Sequence, residues 1–277
     1  ANDYVNCGNI SELNNVQKFT IEAWVNVKKW TNKSAFVSKG NSIFFGTGDQ
    51  LGQIYCKVSN PDNTFGYVLG AIKTGDWNHL AMVFDGTKST NEEKLKLYIN
   101  GKEVKLTYTG ILPSSTANDL TPVTISSNAN QTSSITGSVD EVRIWNESLL
   151  GDALDAWKNV LLQPNHPNYK NLVAYYQLDE TEGYIASDNS KNHYDGKLIG
   201  TPKWVTTNAT DIYRYIQDIG FIPRMNISKG DFVVKVDSIE ENITYTFEPI
   251  SIVEFTINNH KPIIDNIKYY NKANWCY

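Results

Sequence analysis

Short runs in which apolar and polar residues alternate recur along the chain, and they constrain its fold more than any other feature. Alternation with a period of two residues is typical of a β-strand with one buried face. Gly, Asn and Asp separate the runs, as expected for tight turns. Many short strands joined by such turns predict an antiparallel sandwich or jelly roll. The runs are FTIEAWVNV (19–27), QIYCKVS (53–59), HLAMVFD (79–85), KLKLYIN (94–100), VTISS (123–127), SVDEVRIWN (138–146), NLVAYYQL (171–178) and GKLIG (196–200).

One segment, SLLGDALDAWKNVL (148–161), has the periodicity of a helix instead. Apolar residues recur there every three or four positions, and Ser148 is a candidate N-cap. The sequence therefore predicts one helix between two strands. The apolar residues at this spacing are Leu150, Leu154, Trp157 and Leu161.

Composition excludes two classes of partner. A net charge of −5 and a pI of about 5.4 argue against nucleic-acid binding, which needs clustered Lys and Arg. No apolar run approaches the roughly 20 residues that span a bilayer, so we expect no membrane insertion.

The cysteines Cys7, Cys56 and Cys276 are too few for a disulfide framework. They allow one bridge and a free thiol, or three buried thiols.

Several of the runs, in this order, resemble the laminin G-like, concanavalin A-like lectin/glucanase superfamily. The resemblance covers residues 1–205 and implies an all-β fold, an antiparallel jelly-roll β-sandwich. The superfamily includes lectins, carbohydrate-binding modules, adhesion domains and a few glycosidases, so the fold alone does not choose a function. The motifs are DYV (3–5), FTIEAWV (19–25), SKG (38–40), DWNHLAMVFDG (76–86), LKLYINGKEV (95–104) and GSVDEVRIWNESL (137–149).

The segment 172–204 resembles a further signature of this superfamily, which in many relatives precedes the first strand. Here it follows the predicted helix. In a jelly roll the first and last strands lie side by side, so either order completes the same sheet. We interpret the segment as closing the sandwich; the alternative is a truncated second repeat.

Residues 206–277 fall outside the resemblance and predict a small C-terminal β-rich module. About seventy residues are marginal for independent stability. The aromatic end YYNKANWCY (269–277) would be costly to expose, which favours a homo-oligomer, a larger assembly or a following domain. The predicted elements are a linker at 206–211, a short helix at 211–220 and strands at 231–237, 243–247 and 250–257.

The adjacent carboxylates Asp140 and Glu141 raise the question of catalysis. A retaining glycosidase needs two carboxyl groups about 5 Å apart on one face, which within a strand means positions i and i+2. Neighbouring residues of a strand point to opposite faces, and no E-x-D-x-E pattern occurs in the sequence. His79 lies in a strand, where a packed histidine is the expected role. The sequence therefore predicts a protein that is not an enzyme.

The resemblance implies a structural calcium ion, because acidic side chains hold calcium in related sandwiches. Asp3, before the first strand, and Asp140, on what we expect to be a neighbouring strand, are its candidate ligands. Asp188 opens the loop DNSKNHYDG, whose D-x-S-x-N spacing is similar to a calcium loop, although His193 stands where an EF-hand requires Gly. The alternative is that these residues form Asx-turns.

A glycan site needs exposed aromatic rings and polar groups. The resemblance places Trp24, Trp77 and Trp145 at core positions. Trp30, at a strand end beside two lysines, is the candidate exposed platform. The polar loops 46–53 and 59–67 are further candidates, since binding residues are frequent on loops of a rigid scaffold. Their candidate ligand-binding residues are Asp49, Gln53, Asp62 and Asn63.

These observations favour a non-catalytic recognition or adhesion module that binds a glycan or a surface protein. The N-x-S/T sequons, for example at Asn9, Asn32 and Asn146, favour an extracellular or surface location. The alternative is a structural subunit of an extracellular filament or virus-like particle, to which the aromatic C-terminus points. A glycosidase is the third hypothesis and rests only on the fold.

Overall fold

The computed structural model describes residues 3–127 and 133–205 in full and, beyond residue 205, only the backbone of four strands. The chain divides into two compact units, Ala1–Asp218 and Ile219–Tyr277. No helix in the described part of the chain has the length and apolar character needed to cross a membrane. Several sequence predictions lie outside the described residues: the boundary at 205/206, the linker at 206–211, the helix at 211–220, the aromatic end at 269–277 and the state of Cys276.

The elements of the first unit are short strands, as the alternation predicts. The strands are β1 (Tyr4–Asn6), β2 (Lys18–Lys29), β3 (Ala35–Lys39), β4 (Ile43–Thr47), β5 (Ile54–Val58), β6 (Phe65–Val68), β7 (Trp77–Asp85), β8 (Leu95–Ile99), β9 (Lys102–Val104), β10 (Thr107–Thr109), β11 (Val123–Ile125), β12 (Thr136–Trp145), β13 (Leu172–Tyr176), β14 (Ile185–Ala186) and β15 (Gly196–Ile199). The helices are α1 (Asn91–Lys94) and α2 (Gly151–Trp157), with 3-10 turns at Ser11–Leu13 and Tyr169–Asn171.

The described strands of this unit form two antiparallel sheets. The larger sheet has the order β10-β6-β5-β4-β3-β11-β1-β15-β14, and the smaller sheet has the order β13-β12-β2-β7-β8-β9. Strands distant in sequence are neighbours in both sheets, for example β1 beside β11 and β15. This arrangement confirms the predicted jelly-roll β-sandwich.

The core lies between the two sheets, and the pleat decides which residues enter it. In β2, Phe19, Ile21 and Ala23 belong to the core, while Thr20 and Glu22 point to the other face of the sheet. The thiols of Cys7 and Cys56 are buried in the same core and unpaired. Burial raises the pKa of Cys7 to about 12, so this thiol is not reactive at neutral pH.

The segment 172–204 supplies strands to both sheets and closes the sandwich. β13 pairs with β12 at the edge of the smaller sheet, and β15 pairs with β1 in the larger one. The carboxylate of Asp188 joins these parts, because it accepts the N–H of Tyr175 in β13 (2.8 Å) and the N–H of Tyr194 before β15 (2.7 Å). The tandem-repeat alternative does not fit these pairings.

The outer face of the smaller sheet is covered by the segment 147–171, hereafter the cover. Leu154 and Leu162 of the cover pack with Trp145 and Tyr175 of the sheet in a second apolar cluster. α2 is shorter than the predicted helix. Ser148 is not its N-cap: α2 has no side-chain cap, and the Ser148 hydroxyl donates to Glu147.

Leu150, one of the apolar residues at helical spacing, does not pack on the sheet, since its side chain is 77% exposed. Trp24 and Trp145 are buried as expected, but Trp145 lies under the cover and not between the sheets. Trp77 is half-buried.

The second unit contains four described strands. They are β16 (Val234–Ser238), β17 (Glu241–Tyr245), β18 (Phe255–Asn258) and β19 (Lys261–Ile263). Their order is β17-β16-β18-β19, and β16 runs parallel to β18. The first three overlap the strands predicted in this region; β19 was not predicted because Pro262 interrupts its pattern.

Candidate functional site

The outer face of the larger sheet carries a row of aromatic side chains, hereafter the aromatic patch, formed by Phe44, Tyr55, Phe65 and Tyr67. They come from three adjacent strands, β4, β5 and β6. The pleat places them there, because the residues that alternate with them, such as Phe45 and Cys56, enter the core. Each ring of the patch is half-buried and keeps part of its surface in solvent.

The rings form a continuous surface. The centroids of Phe44 and Tyr55 are 5.7 Å apart with the rings edge to face, and those of Tyr55 and Phe65 are 4.6 Å apart and tilted by 32°. The Phe65 and Tyr67 centroids are 6.3 Å apart. These separations are those of favourable aromatic pairs, so the rings fix one another in place.

Polar groups border the aromatic patch. Lys57 lies opposite Phe44 on one neighbouring strand and opposite Phe65 on the other. Thr107 and Thr109 of the edge strand β10 are exposed and lie opposite Tyr67 and Phe65. The face therefore offers an ammonium group and two hydroxyl groups beside the rings.

Charge near the patch is partly compensated. Burial raises the pKa of the Tyr55 hydroxyl to about 12, and the carboxylate of Asp49 adds to the effect. Tyr55 is therefore a neutral hydroxyl at physiological pH. Asp49 is exposed and forms an ion pair of 3.3 Å with Lys33.

The predicted ligand-binding residues differ in how exposed they are in the structure. Trp30 is half-buried and packs against the core, so only part of its ring faces solvent, and its role as a platform stays a prediction. Gln53 is buried, and its Oε1 accepts the N–H of Gln50 at 3.0 Å, so its amide shapes a turn and is not available to a ligand. Asp49, Asp62 and Asn63 are exposed in the loops before β5 and β6. Their role in binding stays a prediction.

A cluster of buried charged groups, hereafter the ionic cluster, lies beneath the cover. Arg143 is its centre: Nη2 donates to Glu141 Oε2 at 2.7 Å, and Nη1 is 3.8 Å from Glu22 Oε1. Glu22 also accepts from Trp145 Nε1 at 2.9 Å and pairs with His79 Nε2 at 3.0 Å. Burial alone would raise the pKa of Glu22, but His79, Arg143 and Trp145 together lower it below its ordinary value.

A β-bulge brings the ionic cluster together. Asp140 lies opposite Trp24, but Arg143, three residues later, lies opposite Glu22, so β12 carries an extra residue. Glu141 at this bulge has φ +52°, a left-handed conformation that non-glycine residues rarely adopt. The prediction that strict alternation sends the Glu141 side chain to the opposite face is therefore wrong, because its carboxylate meets Arg143.

The ionic cluster holds the cover in place and is closed to solvent. Arg143 donates to the carbonyl groups of Trp157 (2.9 Å) and Val160 (2.7 Å). Glu22, Glu141 and Arg143 are each at most 3% exposed. Carboxylates that are buried and paired with an arginine cannot reach a glycosidic bond, so this arrangement is structural. His79 is packed in a strand, as predicted.

The candidate calcium ligands are not gathered into one site. Asp3 precedes β1 in the larger sheet and accepts the N–H of Thr201 at 2.8 Å, whereas Asp140 belongs to β12 in the smaller sheet. The expectation that they lie on neighbouring strands is wrong. Asp188 is 3% exposed, and its oxygens accept from Tyr175, Tyr194 and Ser190. Within residues 3–127 and 133–205, no three His, Cys, Asp or Glu side chains converge on a metal position.

The sequence contains a pattern that indicates the aromatic patch, although most of the predicted binding residues lie in loops. In QIYCKVS and TFGYV, aromatic residues occupy the positions that alternate with Cys56 and Gly66. In this pattern, aromatic residues that face outward from a strand alternate with small or apolar residues that face inward. What the pattern lacks is the pairing of the strands, which alone brings the rings into contact.

A family model described as the concanavalin A-like lectin/glucanases superfamily matches residues 1–154, more than half of the chain. The chain belongs to this superfamily. The match ends within α2, and the structure shows that the superfamily sandwich continues to β15 through the pairing of β15 with β1.

Solved structures share the fold at low sequence identity. A Bacteroides ovatus protein, provisionally named a carbohydrate binding protein, has a TM-score of 0.54 and 18% identity over 72% of this chain and 56% of its own. The CBM40 of the Ruminococcus gnavus IT-sialidase, bound to α2,6 sialyllactose, has a TM-score of 0.43 and 14% identity over 51% of this chain and 83% of its own. This chain thus spans 56% of the length of the Bacteroides protein. No protein with a curated description matches the sequence.

Proposed function

We propose that this protein is a non-catalytic glycan-binding module of a secreted or surface protein, and that the aromatic patch is its binding surface. The observation that carries the proposal is the contact of four half-exposed rings on β4, β5 and β6 of one sheet face. The proposed binding module is the sandwich formed within residues 1–205.

The chemistry of sugars fits this surface. One face of a pyranose ring carries C–H groups, which pack on aromatic rings, while its hydroxyl groups need hydrogen-bond partners. Tyr55, Phe65 and Tyr67 supply the apolar platform, and the hydroxyl groups of Thr107 and Thr109 lie beside it. Proteins rarely keep contiguous aromatic surface in water unless a ligand or partner uses it.

The arrangement of carboxylates favours binding without hydrolysis. A glycosidase of the inverting or retaining type needs two carboxyl groups on opposite sides of a bound sugar. Glu22 and Glu141 are both paired with Arg143, and both are buried beneath the cover. The exposed acidic residue beside the aromatic patch, Asp49, is paired with Lys33.

Superfamily membership supports the proposal, since lectins and carbohydrate-binding modules belong to the same superfamily. The provisional name of the Bacteroides ovatus protein, which shares the fold, points in the same direction. The proposal includes an extracellular or surface location, which the N-x-S/T sequons favour.

Binding by single-ring variants tests the proposal. The 277-residue chain is applied to a glycan array, and the best ligand is then titrated by calorimetry. Tyr67→Ala and Tyr55→Ala are expected to weaken binding at least tenfold, about 1.4 kcal/mol, with little change in melting temperature. Tyr184→Ala is the matched control, because Tyr184 is 73% exposed and lies outside the patch. Equal affinity of the wild type and both patch variants would refute the proposed surface.

A further inference from the structure

Lys57 is the cationic side chain within the aromatic patch. It lies in register between Phe44 and Phe65, on the same sheet face as the rings. Its Nζ donates to the amide oxygen of Asn41 at 2.5 Å, at the turn between β3 and β4. This hydrogen bond directs the ammonium group toward the turn that precedes β4.

No described carboxylate neutralises this ammonium group. Lys18, Lys33, Lys96 and Lys158 form ion pairs, but Lys57 forms none with the residues that the structure describes. Burial lowers the pKa of Lys57, and no neighbouring acid opposes the effect.

Lys39 provides the contrast on the same sheet. Burial lowers its pKa too, but Asp119 and Glu12 act in the opposite direction. Lys57 is thus a half-desolvated cation whose described hydrogen-bond partner, Asn41, is an uncharged amide. A partly buried charge without a counter-charge is unfavourable, and an anionic ligand would relieve it.

We propose that the ligand of the aromatic patch is an acidic glycan, whose carboxylate or sulfate group binds Lys57 while a sugar ring stacks on Tyr55 and Phe65. This inference rests on the proposed glycan-binding function and names its ligand class. Charge-assisted hydrogen bonds to an ammonium group are about twice as strong as neutral ones, so the acidic group would set the preference.

The dimensions of the face suit an oligosaccharide. The four strands from β4 to β10 lie side by side, and at about 4.8 Å per strand they span roughly 14 Å. Thr107 and Thr109 lie on β10 at one edge of this span, and Lys57 lies on β5, two strands away. A bound chain would therefore lie across the strands, with its acidic group at Lys57 and its hydroxyl groups near β10.

Matched probe pairs test the inference. Tetragalacturonate is compared with its methyl ester, and a sulfated cellotetraose with cellotetraose, which carries no acidic group, by calorimetry on the full chain. We expect at least one acidic member to bind tenfold or more tightly than its neutral partner, with affinity that falls as salt is added. The pair that responds identifies the source of the charge, a carboxylate or a sulfate.

The variants assign the preference to one side chain. Lys57→Met keeps the aliphatic stem and is expected to abolish the preference for the acidic member while retaining binding of the neutral one. Lys73→Met, at an exposed loop position, is the control and is expected to leave the preference unchanged. If Lys57→Met does not fold, the inference is decided by whether the wild type prefers the acidic probe and by whether added salt weakens that preference.

The failures of the two proposals are distinguishable. Equal binding of acidic and neutral members by the wild type, or a preference that survives in folded Lys57→Met, overturns the acidic-glycan inference and leaves the glycan-binding function intact. Absence of binding to any member of the pairs and of the glycan array overturns both.

Discussion

Replacement of Arg143 by Met tests the role of the ionic cluster. The substitution removes the guanidinium from Glu141 and Glu22 and its two hydrogen bonds to carbonyl groups of the cover. Glu22 keeps His79 and Trp145, and Glu141 keeps the hydroxyl of Tyr175 at 2.7 Å but loses its charged partner. Breaking a buried charge pair from one side typically costs about 3–5 kcal/mol.

That loss is large relative to the whole stability of a domain, which is about 5–15 kcal/mol. For a unit of this size each kcal/mol corresponds to about 2–4 °C, so we expect the melting temperature to fall by roughly 10 °C. Calorimetry and urea unfolding measure the loss. Hydrogen exchange is expected to show faster opening of the cover, because Arg143 bonds directly to Trp157 and Val160.

Two further variants give the comparison. Arg143→Lys keeps the charge but loses the planar fork, so we expect an intermediate loss. Lys158→Met removes a partly exposed ion pair with Asp155 in the same cover and is expected to cost less than about 1 kcal/mol. A loss of under about 1 kcal/mol in Arg143→Met, without faster exchange in the cover, would refute the reasoning.

The remaining predictions concern protons, ions and the closing segment. Burial lowers the pKa of His166 from 6.5 to about 4. The stability that neutral His166 contributes above pH 6.5 is therefore lost as the pH falls toward 4, by up to about 3 kcal/mol. Urea unfolding of the wild type and of His166→Phe between these pH values checks this, and the same change in unfolding free energy with pH in both proteins contradicts it. If Asp140 holds calcium, chelator lowers the melting temperature and Asp140→Asn removes that response; an unchanged wild-type melting curve contradicts the calcium prediction. Asp188→Ala removes the acceptor of three N–H groups, those of Tyr175, Ser190 and Tyr194, and is expected to cost about 2–4 kcal/mol in thermal unfolding. The exposed Asp62→Ala is expected to cost under about 1 kcal/mol, and similar values for the two variants contradict the joining role of Asp188.

The sequence predicts the strands well because one buried face imposes a period of two. β2, β5, β7 and β12 all lie within two residues of the predicted runs. The helix was predicted too long, since Leu150 and Leu161 satisfy the periodicity but Leu150 points to solvent. Helical spacing alone does not reveal how much of a segment has a surface to pack on.

The site was harder to predict than the fold, for two physical reasons. Strand pairing brings Phe44, Tyr55 and Phe65 together from three separate runs, and no local pattern encodes that contact. The bulge at Glu141 breaks the alternation on which the opposite-face prediction depended. Trp30 illustrates a third difficulty, because lysines beside a tryptophan do not prevent the ring from packing on the core.

The central claim, that the aromatic patch binds glycan, is tested most directly by mapping the bound surface. The ¹⁵N-labelled chain is titrated with the best glycan from the array, and backbone amide shifts are followed by NMR. We predict that the largest shifts cluster in β4, β5 and β6, which carry the aromatic patch and Lys57, and in β10, which carries Thr107 and Thr109. Shifts clustered instead in the cover, or at Trp30 with the patch unaffected, would contradict the account.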